Sequence, residues 1–232
     1  MMDLGSFTPG SALVTVILIA LAPFLAVMVT SFTKIVVVLS IVRTALGLQQ
    51  TPPNVVLNGL ALILTVYVMY PTLQDMSAAA GFSEETAATM PGDEPVNIGQ
   101  IQDTQEIIST ADRVKEPLRE FLLSNTSRDD RAFFLATQKR ISGEERADEI
   151  TERDFVVVIP AFAVRELTIA FQIGFLIFLP FLIIDLVISN ILLALNMMML
   201  SPVTISLPFK VLLFVVVDGW VKLSHGLILS YV

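Results

Sequence analysis

The sequence predicts an all-α, integral membrane-type protein of helical hairpins carrying an amphipathic helical insert, and three observations predict it. The 232-residue chain is 54% hydrophobic with a mean hydropathy of +0.76, above the roughly 45–50% apolar share of soluble domains. Uncharged runs recur at about twenty residues, the length that crosses a hydrocarbon core as a helix. Charge is concentrated in the middle: residues 75–154 carry 18 acidic and 9 basic groups, residues 1–74 only Asp3, Lys34 and Arg43, and residues 155–232 three of each sign. The net charge of −8 therefore belongs to one solvated segment. It divides the chain into N-terminal apolar helices and a hairpin (1–74), an acidic, partly flexible helical insert (75–154) and C-terminal apolar hairpins (155–232).

Several function classes are disfavoured at once. With no cysteine and a single histidine, His225, there is no disulfide framework, no thiol chemistry and little from which to build a histidine metal site or general base. No glycine-rich phosphate loop and no Ser/His/Asp set appears, so neither an enzyme nor a cofactor is expected. Nothing in so acidic a chain calls for nucleic acid.

The elements follow in order. Ser11–Thr30 is uncharged and span-length, with Pro23 expected to kink it; the preceding residues lack the basic n-region of a secretory signal, so the run is expected to be retained, and Asn125–Ser127 carries little weight as a glycosylation acceptor. Ser31–Gln50 has similar length but contains Lys34 and Arg43, nine residues apart and so on opposite sides of a helix. Thr51-Pro52-Pro53-Asn54 breaks that helix, and Val55–Leu73 follows, which predicts a tight helical hairpin over 31–73. The insert begins with a Ser/Ala/Gly/Thr-rich stretch at 77–95 that reads as flexible. Ile107, Ile108, Ala111, Val114, Leu118, Phe121 and Leu122 then recur at helical spacing, predicting an amphipathic helix that continues through 131–140; so many acidic residues favour a helix packed against protein over the alternative of a calmodulin-like or membrane-surface helix. From Phe155 to Leu200 the apolar stretch is too long for one span and is punctuated by Pro160, Pro180, Asp185 and Asn190. Leu167–Ile184 could cross a bilayer but Leu186–Leu200 is short, so short helices in protein-packed hairpins are expected there. After Ser201-Pro202 a last apolar stretch contains Lys210 and Asp218.

Ionisable groups in such runs are costly unless paired or facing water. This singles out Lys34, Arg43, Arg165, Glu166, Asp185, Lys210 and Asp218, with inter-helix ion pairs as the plain alternative to a functional role. Lys210 and Asp218, eight residues apart, fall roughly on one helix face and would neutralise neighbouring subunits. Asn58, Asn190 and Asn196 suit hydrogen bonds between helices. The triplet Met197-Met198-Met199 reads as adaptable gap filler when taken alone.

The stretches SFTKIVVVLSIVRTALGLQQTPPN (31–54), AFQIGFLIFLPFLIIDLVISNILLAL (170–195) and MMMLSPVTISLPFKVLLFVVVDGW (197–220) resemble the FliP/SctR family, the major subunit of the type III secretion export gate. The resemblance covers about two thirds of the chain; in the insert only PLREFLLSNTSRDDRAFF (117–134) takes part. It implies a homopentamer assembled with SctS/FliQ, SctT/FliR and SctU/FlhB, and with SctV/FlhA, into a helical pore in the bacterial inner membrane, much of it raised toward the periplasm. It implies a conduit for unfolded substrate proteins, in contact with membrane lipid. Met197, Met198 and Met199 would then lie on a hairpin loop and close the pore as a gasket, and Glu166 would lie at subunit contacts near the pore with Phe121 and Phe134 packed nearby. Lys34, Arg43, Arg165, Asp185, Lys210 and Asp218 would be charges buried between helices. Two positions depart from the family pattern: Arg165 stands where a small hydroxyl residue is expected, and Asn196 where glycine is, although asparagine tolerates a left-handed turn. ISNILLAL and LSPVTISLPFK lean toward the injectisome branch. The competing readings are a secondary transporter using Glu166 or Asp185 as a proton relay, which calls for an internal repeat that is not evident, and a purely structural scaffold.

Overall fold

A computed structural model describes residues 9–80, 104–143, 148–197 and 199–231. Eight α-helices and no strands are found among them. The first, α1 (Pro9–Met28), opens on a proline, whose missing N–H costs nothing in a first turn, and runs through Pro23. Its described apolar side chains, Leu13, Val16, Ile17 and Phe24 among them, are exposed.

The predicted hairpin is present as α2 (Phe32–Ala45) and α3 (Asn54–Ala79), packed on each other. In α2 the buried residues Ile35, Val38, Leu39, Val42 and Ala45 form one stripe at helical spacing. The helix ends in a Schellman turn in which Gly47, at φ +77°, donates to the Thr44 carbonyl and Leu48 to that of Arg43. Helix α3 starts directly after Pro53, runs through Pro71, and goes six residues beyond the apolar run that defined it in the sequence. Ser77, Ala78 and Ala79 are compatible with a helix, and α4 packs alongside.

The amphipathic insert is two helices, α4 (Thr104–Ser124) and α5 (Arg128–Ser142), separated by a short turn. Ser127 caps α5 by accepting the Asp130 N–H at 3.1 Å. Asp129 and Asp130 stand in its first turn and Lys139 and Arg140 in its last, matching the helix dipole. Residues 81–95 of the stretch expected to be flexible lie outside the described residues.

The largest departure from the sequence reading is α6 (Phe155–Ala194), a single helix of 40 residues where several short ones were expected. Pro160 and Pro180 both sit inside it. Each removes one hydrogen bond, but α2, α4, α5 and α7 pack along its length, so lateral contacts hold the axis where the backbone ladder is interrupted. At 1.5 Å per residue it is about 60 Å long, twice the roughly 30 Å of a hydrocarbon core. The final hairpin arm, α7 (Pro202–Val216), folds back on α6 and is followed after a 60° bend by α8 (Gly219–Leu229). Asp218 stands at that bend in the left-handed conformation, φ +54°.

Two separate apolar cores result. The larger joins α2, α3, the C-terminal half of α6, α7 and α8, through Ile35, Leu39, Leu57, Phe181, Phe214 and Leu227 among others. The smaller joins α4 to the N-terminal end of α6 through Leu122, Val158 and Phe162. Outside them, long apolar faces stay open: only 11% of the most apolar window of α6, and 28% of that of α3, is buried within the chain. Among the described residues these two helices are long and apolar enough to cross a membrane, or three spans exist if the bent α7–α8 pair counts as one.

Candidate functional site: two buried ion pairs and a methionine loop

Helices α2 and α6 run parallel, and α2 is fastened near both ends. Near its start Lys34 Nζ lies 3.4 Å from Glu166 Oε1, with side chains 2% and 1% exposed. A cation in a first helical turn opposes the helix dipole, so Glu166 offsets both that and the desolvation of the ammonium. Tyr231, in the turn after α8, donates its hydroxyl to Glu166 Oε2 and presents its ring to Lys34, whose Nζ stands 3.4 Å from the ring centroid. The same ring stacks on Phe121 of α4 at 6.0 Å, and Phe121 packs on Phe162 of α6 at 5.8 Å.

At the other end of α2, Lys210 of α7 donates to the Ala45 carbonyl at 3.1 Å and to Asp185 Oδ2 at 2.6 Å, while Ser206 donates to Asp185 Oδ1 at 2.6 Å. Here the cation meets the negative end of a helix, the favourable sense of the dipole. Between the two pins Gly174 of α6 abuts Ile41 of α2, so closely that a Cβ there would collide with the isoleucine.

Of the charges singled out in the sequence, Lys34, Glu166, Asp185 and Lys210 are thus brought into pairs. Glu166 is not presented at a surface: its side chain is already enclosed within one chain, so any effect on subunit contacts runs through Lys34, Tyr231 and Phe121. Arg43 donates instead to Asn54 Oδ1 at 2.5 Å and to the Pro52 carbonyl at 3.3 Å, closing the α2–α3 loop. Arg165 is half-buried and has no ion pair among the described residues, with Glu166 or otherwise. Asp218 is exposed at the bend, which takes it off the helix face it was expected to share with Lys210, because the left-handed residue ends α7. Phe134 meets the edge of Phe133 at 5.3 Å and has no described aromatic contact with the Glu166 cluster, unlike Phe121. Tyr231 and Ser206 escaped the sequence reading; Ser206 lies one turn before Lys210 on the same face, whereas nothing in the spacing of the chain points to Tyr231.

Met197 and Met199 stand in the loop between α6 and α7. Asn196 adopts φ +56° and completes a Schellman turn, donating to Leu193 while Met197 donates to Leu192. The side chains of Met197 and Met199 are 48% and 101% exposed; Met198 lies outside the described residues. Among the described residues no three His, Cys, Asp or Glu side chains stand together as a metal site would need.

The architecture defines the class: an all-helical protein with membrane-spanning-capable helices, held by buried ion pairs and carrying large unpartnered apolar faces. The chain belongs to the FliP family, whose model matches residues 14–227. It is 46% identical to the Yop proteins translocation protein R of Yersinia pestis over 214 residues, 92% of each chain. It is 41% identical to the hypersensitivity response secretion protein HrcR of Ralstonia nicotianae over 222 residues, 96% of this chain and 97% of that one. To the flagellar biosynthetic protein FliP of Bacillus subtilis it is 41% identical over 212 residues, 91% of this chain and 87% of the relative.

Proposed function

We propose that the chain is a pore-forming core subunit of a type III secretion export apparatus in the bacterial inner membrane, conducting unfolded substrate proteins. The observation that carries this reading is the pair of exposed methionines on a hairpin loop whose two helices leave their apolar faces open. A single chain leaving so much apolar surface unpartnered suits a homo-oligomer, a pentamer in this proposal, completed by the other export-gate subunits and by lipid. Unbranched, polarizable methionine side chains can close a ring upon themselves or deform around a passing chain without sequence-specific contact, and a dry apolar constriction excludes ions when empty. Helix α6 is too long for a bilayer core, and its N-terminal half carries the charged insert, which supports an assembly partly raised out of the lipid. The division into an N-terminal apolar part, an acidic insert and a C-terminal apolar part is retained in this proposal. Relatives named for the translocation of Yop proteins and for flagellar biosynthesis match to similar degrees, so the proposal covers both kinds of machine.

The test replaces Met197, Met198 and Met199 by alanine or glycine in cells carrying the whole apparatus, and measures ion leak and protein secretion together. A leaky membrane with the complex assembled is the expected result. A tight membrane with normal secretion would overturn the gasket and leave a scaffold role.

A further inference from the structure

We infer that Tyr231 is a positioning residue that clasps the acidic insert to the membrane-type core. The two apolar cores share no residue, and the link between them in this part of the fold is polar and aromatic. Tyr231 stands at that link and touches three elements at once. Its hydroxyl donates to Glu166 of α6 and lies 3.4 Å from the Ser31 carbonyl just before α2. One face of its ring takes the Lys34 ammonium of α2 at 3.4 Å. Its ring also stacks on Phe121, which belongs to the insert and flanks the buried Leu122, Val158 and Phe162. Cation–π attraction strengthens when the ammonium is desolvated, and Lys34 is almost completely buried, so the ring and the carboxylate together satisfy a charge that neither satisfies alone. The insert meets the Lys34–Glu166–Tyr231 unit through this aromatic stack, while α4 also packs on α3 and both α4 and α5 pack on α6. Loss of the ring should therefore loosen the joint of α4 and α6 beside Phe121, where Leu122, Val158 and Phe162 meet, while the α2 pin at Lys210 and Asp185, at the far end of α2, remains.

The experiment uses the full-length chain in membranes and the absence of native cysteine. Val158→Cys reports on the insert joint and Val42→Cys on the large core, both sites being fully buried, and each is labelled with a soluble maleimide. In Tyr231→Ala, labelling at position 158 is expected to rise about tenfold or more, as local opening of one cooperative unit does, with position 42 still protected. Tyr231→Phe keeps the ring and loses the hydroxyl, and is expected to give a smaller rise at position 158. Protection at 158 in Tyr231→Ala, or equal exposure of both positions, would overturn the clasp, the second outcome showing a general loss of structure. Because the readout is labelling rather than secretion, it stands or falls independently of whether the chain conducts substrate.

Discussion

The two ion pairs along α6 use the same chemistry in opposite settings. Lys34–Glu166 is closed off from water on both sides, at the unfavourable end of α2. Lys210–Asp185 has a buried ammonium but a carboxylate that is 30% exposed, at the favourable end. The first pair is held in place by its neighbours, Tyr231 above all, and each partner is costly without the other. The second is supported by the helix terminus, by Ser206 and by water. A buried charge is thus tolerated in this fold either by complete enclosure with an opposite charge or by a helix end that would attract it anyway, and the two solutions should fail differently.

The largest effect is expected from Glu166→Ala, which leaves Lys34 buried without a counter-charge. Breaking one side of a buried pair costs about 3–5 kcal/mol, which should appear as a marked fall in the denaturation midpoint of the detergent-solubilised protein. Lys34→Met combined with Glu166→Leu should recover most of that loss, since apolar replacement of both partners removes the orphaned charge. No recovery would mean that the pair does more than satisfy itself. Lys210→Met comes next, at about 1–3 kcal/mol. Asp185 keeps Ser206 and its access to water, while the Ala45 carbonyl loses a donor. A loss equal to that of Glu166→Ala in the same denaturation series would erase the contrast between the two pins. Gly174→Ala, between the pins, is expected to cost least, about 1 kcal/mol net. Crowding against Ile41 outweighs the gain in helix propensity, and the shift should be read as a small decrease in thermal midpoint with both pairs retained.

Much of the fold was legible in the sequence. The hairpin over 31–73 follows from two apolar runs around Pro52 and Pro53, and the helical character of the insert from the spacing of Ile107 through Leu122, whereas the break that divides it into α4 and α5 was read as continuous helix. The place of Met197 and Met199 on a hairpin loop came from family resemblance, and Asn196 in the left-handed region shows why asparagine serves there in place of glycine. Punctuation by proline misled at α6, because a proline weakens a helix locally while side-by-side packing can carry the axis past it. The ionisable residues were recognisable one at a time from their apolar surroundings, but their partners were not: Lys34 and Glu166 lie far apart in sequence, and Tyr231 farther still.

By itself, then, the sequence determined the all-helical character, the hairpin over 31–73 and the list of charges that had to be neutralised, since these depend on local periodicity, turn chemistry and the cost of an ion in apolar surroundings. Only the tertiary structure decided that α6 is one unbroken rod, that Asp218 ends a helix while Lys210 caps one, and that Lys34, Glu166, Tyr231 and Phe121 meet. Those outcomes rest on which helices pack side by side, and contact between distant segments is set by the summed burial of whole faces rather than by any residue's neighbours in the chain.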